Sequence, residues 1–340
     1  MRSGISRSSS ILSSPGDGRR VDRALPPPFP TREGTMSIRI GFAAALLSIS
    51  GMVTASAAGV PALQVTAPNG QSSIIIGTLH VPYKGLVQPA EGLLDGRTRL
   101  VVEGSPTQGP QPKAPSPTEL FHPDVLASIR AGRGVVRAPW AANLSDDQVD
   151  QLLHTARCQI PTMTRETIES VLGFKTAETA AGLAYLRCDS GLGVSRDELL
   201  NQAAAVRGIP TDILETQVDV DRRRKAVPPG YYATILVGAF APDVEDKYQA
   251  VVEALNIGDY DAAFEASQAD PRVVEDVETF NRLMLLERNK AWLAPLQRYL
   301  DEGNAIIAVG AAHLPGDGGL LKLLQGRGYM VKHIQVDANQ

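Results

Sequence analysis

Short runs of consecutive apolar residues recur near both ends of the chain, without the alternation of a half-exposed strand. Residues 74–76, 100–102 and 305–309 form three such runs, and each ends at a glycine or a turn-forming cluster. Runs of this kind are typical of strands buried on both faces of a sheet. A last strand is predicted over residues 329–336, where it would close the sheet.

Helical patterns dominate the middle of the chain. Ser145 and Ser195 are each followed three residues later by Gln or Glu, a capping-box pattern that predicts helices ending near Arg157 and Gly208. Further helices are predicted over residues 170–187, 244–255, 273–286, 290–300 and 316–325. The sequence therefore predicts an α/β fold. In this fold a central mixed sheet is flanked by helices, and a large helical insertion at about 124–300 separates the N- and C-terminal half-sheets. The proline-rich residues 107–117 are predicted to be an exposed loop.

The first 57 residues differ from the rest. Residues 1–35 are rich in Ser, Arg, Gly and Pro, which predicts a disordered leader or a translation start assigned too early. Residues 36–57 contain a charged start, an apolar run and a small-residue end, the order found in a secretory signal peptide. Membrane association is expected only if this segment stays uncleaved as an anchor. We therefore expect a periplasmic or secreted protein with one α/β domain over residues 58–340.

Composition and charge narrow the function classes. The chain has 340 residues, of which 43% are hydrophobic and 21% charged, the profile of a globular protein. Its formal net charge is -4. A chain this weakly acidic gives no electrostatic basis for binding nucleic acid.

The chain has two cysteines, Cys158 and Cys188. In an exported protein such a pair predicts a disulfide, with two buried free thiols as the alternative. The spacing matches neither a C-x-x-C motif nor a zinc ribbon, so a structural zinc site is not expected. No histidine stands at a spacing that suggests thiol catalysis, and no serine lies in a G-x-S-x-G turn.

Three predicted strand ends carry side chains suited to catalysis. His80, Glu103 and His313 follow the three apolar runs, and both histidines complete a Gly-x-x-His motif. Reactive residues gather where parallel strands end, so the three are expected to converge. Two imidazoles and a carboxylate can bind a divalent cation such as Mn, Co or Zn and leave a position open for water. Without metal they can act as general acid and base, and each residue alone could equally be structural.

Arg288 and Asn289 lie between two predicted helices. An arginine there can pair with Glu103 or stabilise an oxyanion. The alternative is an ordinary run of surface charge.

These motifs together resemble the TraB/GumN family. The resemblance rests on Ile-Gly-Thr-Leu-His at 76–80, Val-Val-Glu-Gly-Ser at 101–105, Glu-Arg-Asn at 287–289 and Val-Gly-Ala-Ala-His-Leu-Pro-Gly at 309–316, with a weaker Leu-Glu-Thr at 214–216. It runs from about residue 60 to 336. It implies a fold of the erythromycin-esterase and ChaN type, and kinship with the Tiki metal-dependent proteases. By this resemblance His80, Glu103 and His313 form the site, with Arg288 and Asn289 beside it.

We expect an exported hydrolase, a divalent-metal-dependent peptidase acting on a peptide or small molecule. His80 and His313 would ligate the metal, and Glu103 would be a third ligand or the general base. Arg288 would stabilise developing negative charge, with Asn289 close by. Two alternatives remain: a metal-independent, esterase-like hydrolase, and a non-catalytic periplasmic protein that binds a peptide or haem.

Overall fold

A six-stranded mixed sheet organises the part of the chain that the computed structural model describes, residues 59–104, 116–188 and 193–339. Its strands are β1 (Val60–Thr66), β2 (Ser72–Thr78), β3 (Arg99–Val102), β4 (Thr211–Ile213), β5 (Ala305–Gly310) and β6 (Met330–Val336). Their order across the sheet is β4-β3-β5-β2-β1-β6. The four strands β4, β3, β5 and β2 run parallel, whereas β1 is antiparallel to β2 and β6. The predicted α/β fold with a central mixed sheet is confirmed.

Helices occupy most of the remaining chain. They are α1 (Pro117–Leu120), α2 (Pro123–Arg130), α3 (Asp146–Gln159), α4 (Arg165–Leu172), α5 (Ala177–Ala180), α6 (Arg196–Arg207), α7 (Gln217–Ala226), α8 (Pro229–Gly238), α9 (Val244–Ile257), α10 (Tyr260–Ser267), α11 (Val277–Asn281), α12 (Glu287–Glu302) and α13 (Leu320–Gln325). A π-helical turn, Arg282–Leu286, runs directly into α12. Short 3-10 turns cover Glu91–Leu94, Pro139–Ala141, Ala181–Tyr185 and Ala311–His313.

Helices cover both faces of the sheet. Successive side chains of β5 point to opposite faces, so all of them are buried. Ile307 and Val309 belong to the apolar core on the face covered by α9, α10, α12 and α13, and Ile306 and Ala308 belong to the core on the face covered by α6 and the turn at Glu91–Leu94. All four side chains are fully buried. Each of the larger side chains buried in this way, Ile306, Ile307 and Val309, contributes roughly 1.5–3 kcal/mol to folding. The apolar runs therefore form strands covered on both faces, as predicted.

Two predicted helices are wrong in extent. The helix predicted over 170–187 is divided, because α4 ends at Leu172 with Gly173 as its C-cap, and Phe174 then forms a β-bridge with Phe121. In the region predicted as helical over 273–286, α11 begins only at Val277. It continues through the π turn into α12, so Arg288 and Asn289 lie inside a helix and not between two.

The remaining elements partly agree with the sequence prediction. Ser145 and Ser195 cap α3 and α6, as their spacing indicated. Strands β1 and β4 were not predicted, and β4 falls inside the segment assigned to the helical insertion. The last helix begins at Leu320, later than predicted. The leader, the signal peptide and nearly all of the proline-rich loop lie outside the described residues. None of the described helices combines the length and apolar character needed to cross a membrane.

The predicted disulfide is confirmed. Cys158, near the end of α3, is bonded to Cys188, which follows the turn Ala181–Tyr185. The bond therefore ties two helical segments together that are 30 residues apart in the sequence.

Candidate active site

The three predicted strand-end residues converge at one edge of the sheet. In the parallel register Thr78 of β2 is opposite Gly310 of β5, so the chain leaves both strands at the same edge. Oε1 of Glu103 lies 3.7 Å from Nε2 of His80 and 3.8 Å from Nε2 of His313. The structure therefore brings together three groups that are far apart in the sequence.

The first residue of each Gly-x-x-His motif has to be glycine, for a different steric reason in each motif. A Cβ at Gly310 would lie 3.0 Å from Oε1 of Glu103, 3.2 Å from Nε2 of His80 and 3.6 Å from Cδ2 of His313. Glycine thus keeps open the space that the three side chains face. At Gly77 a Cβ would lie 2.5 Å from Cε1 of Tyr260, so glycine there lets α10 pack against the end of β2.

Arg288 is buried and forms ion pairs with two glutamates, Glu103 and Glu215. Its Nη2 lies 2.6 Å from Oε2 of Glu103 and 2.5 Å from Oε1 of Glu215, to which Nε also donates at 2.7 Å. Its Nη1 is 3.1 Å from Nε2 of His313, and its guanidinium stacks over the ring of Trp292 at 4.6 Å. Of the sequence alternatives, pairing with Glu103 is the one observed, and a surface charge run is wrong.

Asn289 fixes the orientation of His313. Its Nδ2 donates to the carbonyls of His313 and Gly318, at 3.1 and 2.9 Å. The amide oxygen is therefore the acceptor 2.7 Å from Nδ1 of His313, which must carry the proton. In this neutral tautomer Nε2 keeps its lone pair and receives the hydrogen bond from Arg288.

Glu215 and Asp197 are site residues that the sequence analysis missed. Glu215 follows β4 and sits beside Glu103, whose carbonyl accepts from the Glu215 N–H at 2.9 Å. Arg223 reaches its other oxygen at 3.2 Å. Asp197, in the first turn of α6, lies 3.1 Å from Nδ1 of His80. The capping pattern at Ser195 predicted the helix but not that its first turn meets the end of β2.

Arg196, next to Asp197, anchors the chain segment that carries His80. The side chain is fully buried, and its hydrogen bonds go to backbone carbonyls. Nη1 donates to Gly77 at 2.8 Å and Nη2 to Val87 at 2.7 Å. Consecutive residues of α6 therefore hold the Gly-x-x-His segment, one through its backbone and one through the His80 ring.

The pKa values of His80, Glu103 and His313 are shifted by different causes: that of His80 is raised, and those of Glu103 and His313 are lowered. Desolvation opposes the charge of His80, but the Glu103 and Asp197 carboxylates outweigh it and raise its pKa to about 9. Burial also opposes the charge of Glu103. The two histidines, Arg288 and the Gly310 N–H, 2.6 Å from Oε1, nevertheless lower the pKa of Glu103 to about 2. Burial lowers the pKa of His313 to about 3, against the attraction of Glu103. At neutral pH the site thus holds an ionised glutamate between a charged histidine and a neutral one.

The donor set fits a divalent cation on one side of the site. Metal-binding histidines commonly donate their second ring N–H to a carboxylate or carbonyl oxygen. Asp197 and Asn289 supply such partners to His80 and His313. The His80 side chain is 60% exposed, so its ring can be reached from solvent. His80 and Glu103 are therefore suitable ligands once the cation displaces the Nε2 proton of His80, whereas His313 could join them only if Arg288 released its Nε2.

A family model described as TraB/PrgY/gumN family matches residues 62–333. The matched range contains His80, Glu103, Arg288, Asn289 and His313. No curated protein and no solved structure matches the chain.

Proposed function

Because the chain belongs to the TraB/PrgY/gumN family and carries this strand-end constellation, we propose that it is an exported, divalent-metal-dependent peptidase. The observation that carries the proposal is the approach of His80 and His313 to Glu103 around the open space at Gly310. Two imidazoles and a carboxylate, each histidine with an outer partner on Nδ1, are a donor set found in hydrolytic metal sites, which His313 would complete here only on release of its Nε2 by Arg288.

In this proposal a cation held by His80 and Glu103 would polarise the scissile carbonyl and activate water. Asp197 orients the His80 ring so that Nε2 faces the open space, and Gly310 donates its N–H to Glu103. We assign Arg288 to the positioning of Glu103, because two carboxylates already share its charge. Export follows from the leader pattern over residues 36–57 and belongs to the same proposal.

The test is metal content and peptide hydrolysis of the purified protein, compared with those of His80→Ala. We expect the variant to lose bound metal and hydrolysis together. His333→Ala is the matched control, because His333 is an exposed histidine on β6 that takes no part in the site. Equal metal content in wild type and His80→Ala would sink the metal role.

A metal-independent hydrolase is the second candidate, and the contact between Arg288 and His313 favours it. With its Nε2 engaged at 3.1 Å, His313 acts as a hydrogen-bond acceptor for the guanidinium rather than as a ligand. His80, paired with Asp197, would then transfer the proton as acid and base. Hydrolysis that survives exhaustive chelation would select this candidate over the first.

A further inference from the structure

A second group of metal-ligating side chains lies on the helical part of the chain, with no role in the strand-end site. His154 and Cys158 are one turn apart on α3, and Cys188 is bonded to Cys158. Nε2 of His154 lies 3.7 Å from Sγ of Cys188, and the ligand atoms of the three residues all lie within 4.8 Å of one another. Neither a zinc site nor a histidine beside these cysteines was expected from their spacing, and the histidine is present.

The group has the chemistry of a thiophilic cation site once its sulfurs are free. Zinc binds thiolate sulfur at about 2.3 Å and imidazole nitrogen at about 2.0–2.1 Å, so tetrahedral ligands lie about 3.3–3.8 Å apart. The separation of His154 from Cys188 already falls in this range. Two thiolates and a neutral imidazole also balance the double charge of the cation. His154 and Cys188 are exposed and Cys158 is partly exposed, so both a reductant and a cation can reach them.

We propose that these three residues have two alternative states: Cys158 and Cys188 form the disulfide, or, once it is reduced, they bind a divalent cation such as zinc together with His154. In the oxidised chain Cys158 and Cys188 are bonded to each other. In the reduced chain their thiolates and Nε2 of His154 hold the cation, with a fourth position open to water. A dithiol would open the bond by exchange, ending as a disulfide itself while each cysteine sulfur gains an electron and a proton. Both thiol protons then pass to solvent as the cation binds.

Zinc titration of the whole protein, oxidised or reduced anaerobically with a trialkylphosphine, tests the proposal. The phosphine becomes its oxide, with oxygen from water, and leaves two thiols. We expect reduced protein to bind one more zinc per chain than oxidised protein, and cobalt to give a thiolate charge-transfer band only after reduction. Comparing the two redox states of one protein cancels any zinc at the strand-end site, so the result is independent of the proposed function.

Variants identify the ligands. His154→Ala should weaken the additional zinc by at least about tenfold, since even loss of an outer partner weakens metal binding about 10–100-fold. His122→Ala, a histidine outside the cluster, should leave it unchanged. Reduced protein alkylated with iodoacetamide should bind no additional zinc, a test that needs no cysteine substitution. Equal zinc in both redox states, or undiminished affinity in His154→Ala, would overturn the proposal.

Discussion

Asn289 and His313 face each other across the buried side of the site, with Oδ1 of the amide 2.7 Å from Nδ1 of the imidazole. Both Nδ2 hydrogens of Asn289 are used by backbone carbonyls of the segment that follows β5. The amide therefore has one possible orientation, and the tautomer of His313 follows from it. Helix α12 is thus joined to the segment that follows β5 by three hydrogen bonds of a single side chain, two donated and one accepted.

Replacing Asn289 by Leu should destabilise the protein strongly. The substitution leaves the Nδ1–H of His313 and two backbone carbonyls without this partner, and each unsatisfied buried group costs about 1–3 kcal/mol. We expect the free energy of unfolding to fall by at least ~2 kcal/mol in urea denaturation. Asn281→Leu, which removes one side-chain bond to Gln268, is the matched control and should cost about 1 kcal/mol. Similar losses in the two variants would contradict the assignment.

Replacing Arg288 by Met should be the most damaging substitution in the network. Glu103 and Glu215 would then lie close together, buried, without the guanidinium that separates their charges. Removing one partner of a buried ion pair costs about 3–5 kcal/mol. Thermal and urea unfolding should show this loss, and Glu215→Gln in the same chain should recover part of it. A double variant no more stable than Arg288→Met alone would show that repulsion between the two glutamates is not the cause.

The sequence predicted the central sheet because β2, β3 and β5 are buried on both faces and therefore read as uninterrupted apolar runs. Strand β1 escaped prediction because Pro61 and Gln64 interrupt its pattern, and β4 because it has only three residues. Helix ends in the middle of the chain depend on tertiary contacts, such as the bridge of Phe174 to Phe121. Apolar periodicity alone does not report them.

The site residues that could be predicted are those that directly follow a predicted strand. His80, Glu103 and His313 each stand at such a place. Asp197 could not be found in this way, because its carboxylate lies in a helix first turn, where acidic residues commonly complement the helix dipole. Only the packing of α6 over the end of β2 brings it to His80. Glu215 stood out in the sequence only within the weak Leu-Glu-Thr mark, and its place in the site follows from the pairing of β4 with β3.

Replacing Asp197 by Asn should lower the pKa of His80 from about 9 towards 6.5, because one of the two carboxylates that favour its protonation becomes neutral. A pKa raised in the folded state adds stability below pH 6.5 and loses it as the pH rises through 9. The free energy of unfolding of the variant should therefore fall less than that of wild type as the pH rises from 6.5 to 9. Histidine NMR titration measures the shift directly. Glu198→Gln is the control, since that carboxylate binds Gln202, and an equal shift in both variants would refute a specific role for Asp197.

The stability of the protein should fall on acidification before most carboxylates titrate. Burial lowers the pKa of His313 from 6.5 to about 3, so between these values the unfolded chain binds a proton that the folded chain excludes. This contribution is complete above pH 6.5 and is lost as the pH falls through 3. Glu103, with its pKa lowered from 4.5 to about 2, adds a loss of the same sign that begins near pH 4.5.

Urea denaturation at pH 7, 6 and 5 isolates His313, because it titrates in the unfolded chain across that interval, whereas Glu103 does so mainly near pH 4.5. His80 contributes there with the opposite sign, but it is present in both wild type and His313→Gln, so the difference between their slopes belongs to His313. We expect His313→Gln to be less stable than wild type at pH 7, because it loses the bonds to Arg288 and Asn289. Its stability should nevertheless change less between pH 7 and 5. His333→Gln, at an exposed position on β6, should keep the wild-type slope. A wild-type slope in His313→Gln would mean that the buried imidazole is not the group excluded from protonation.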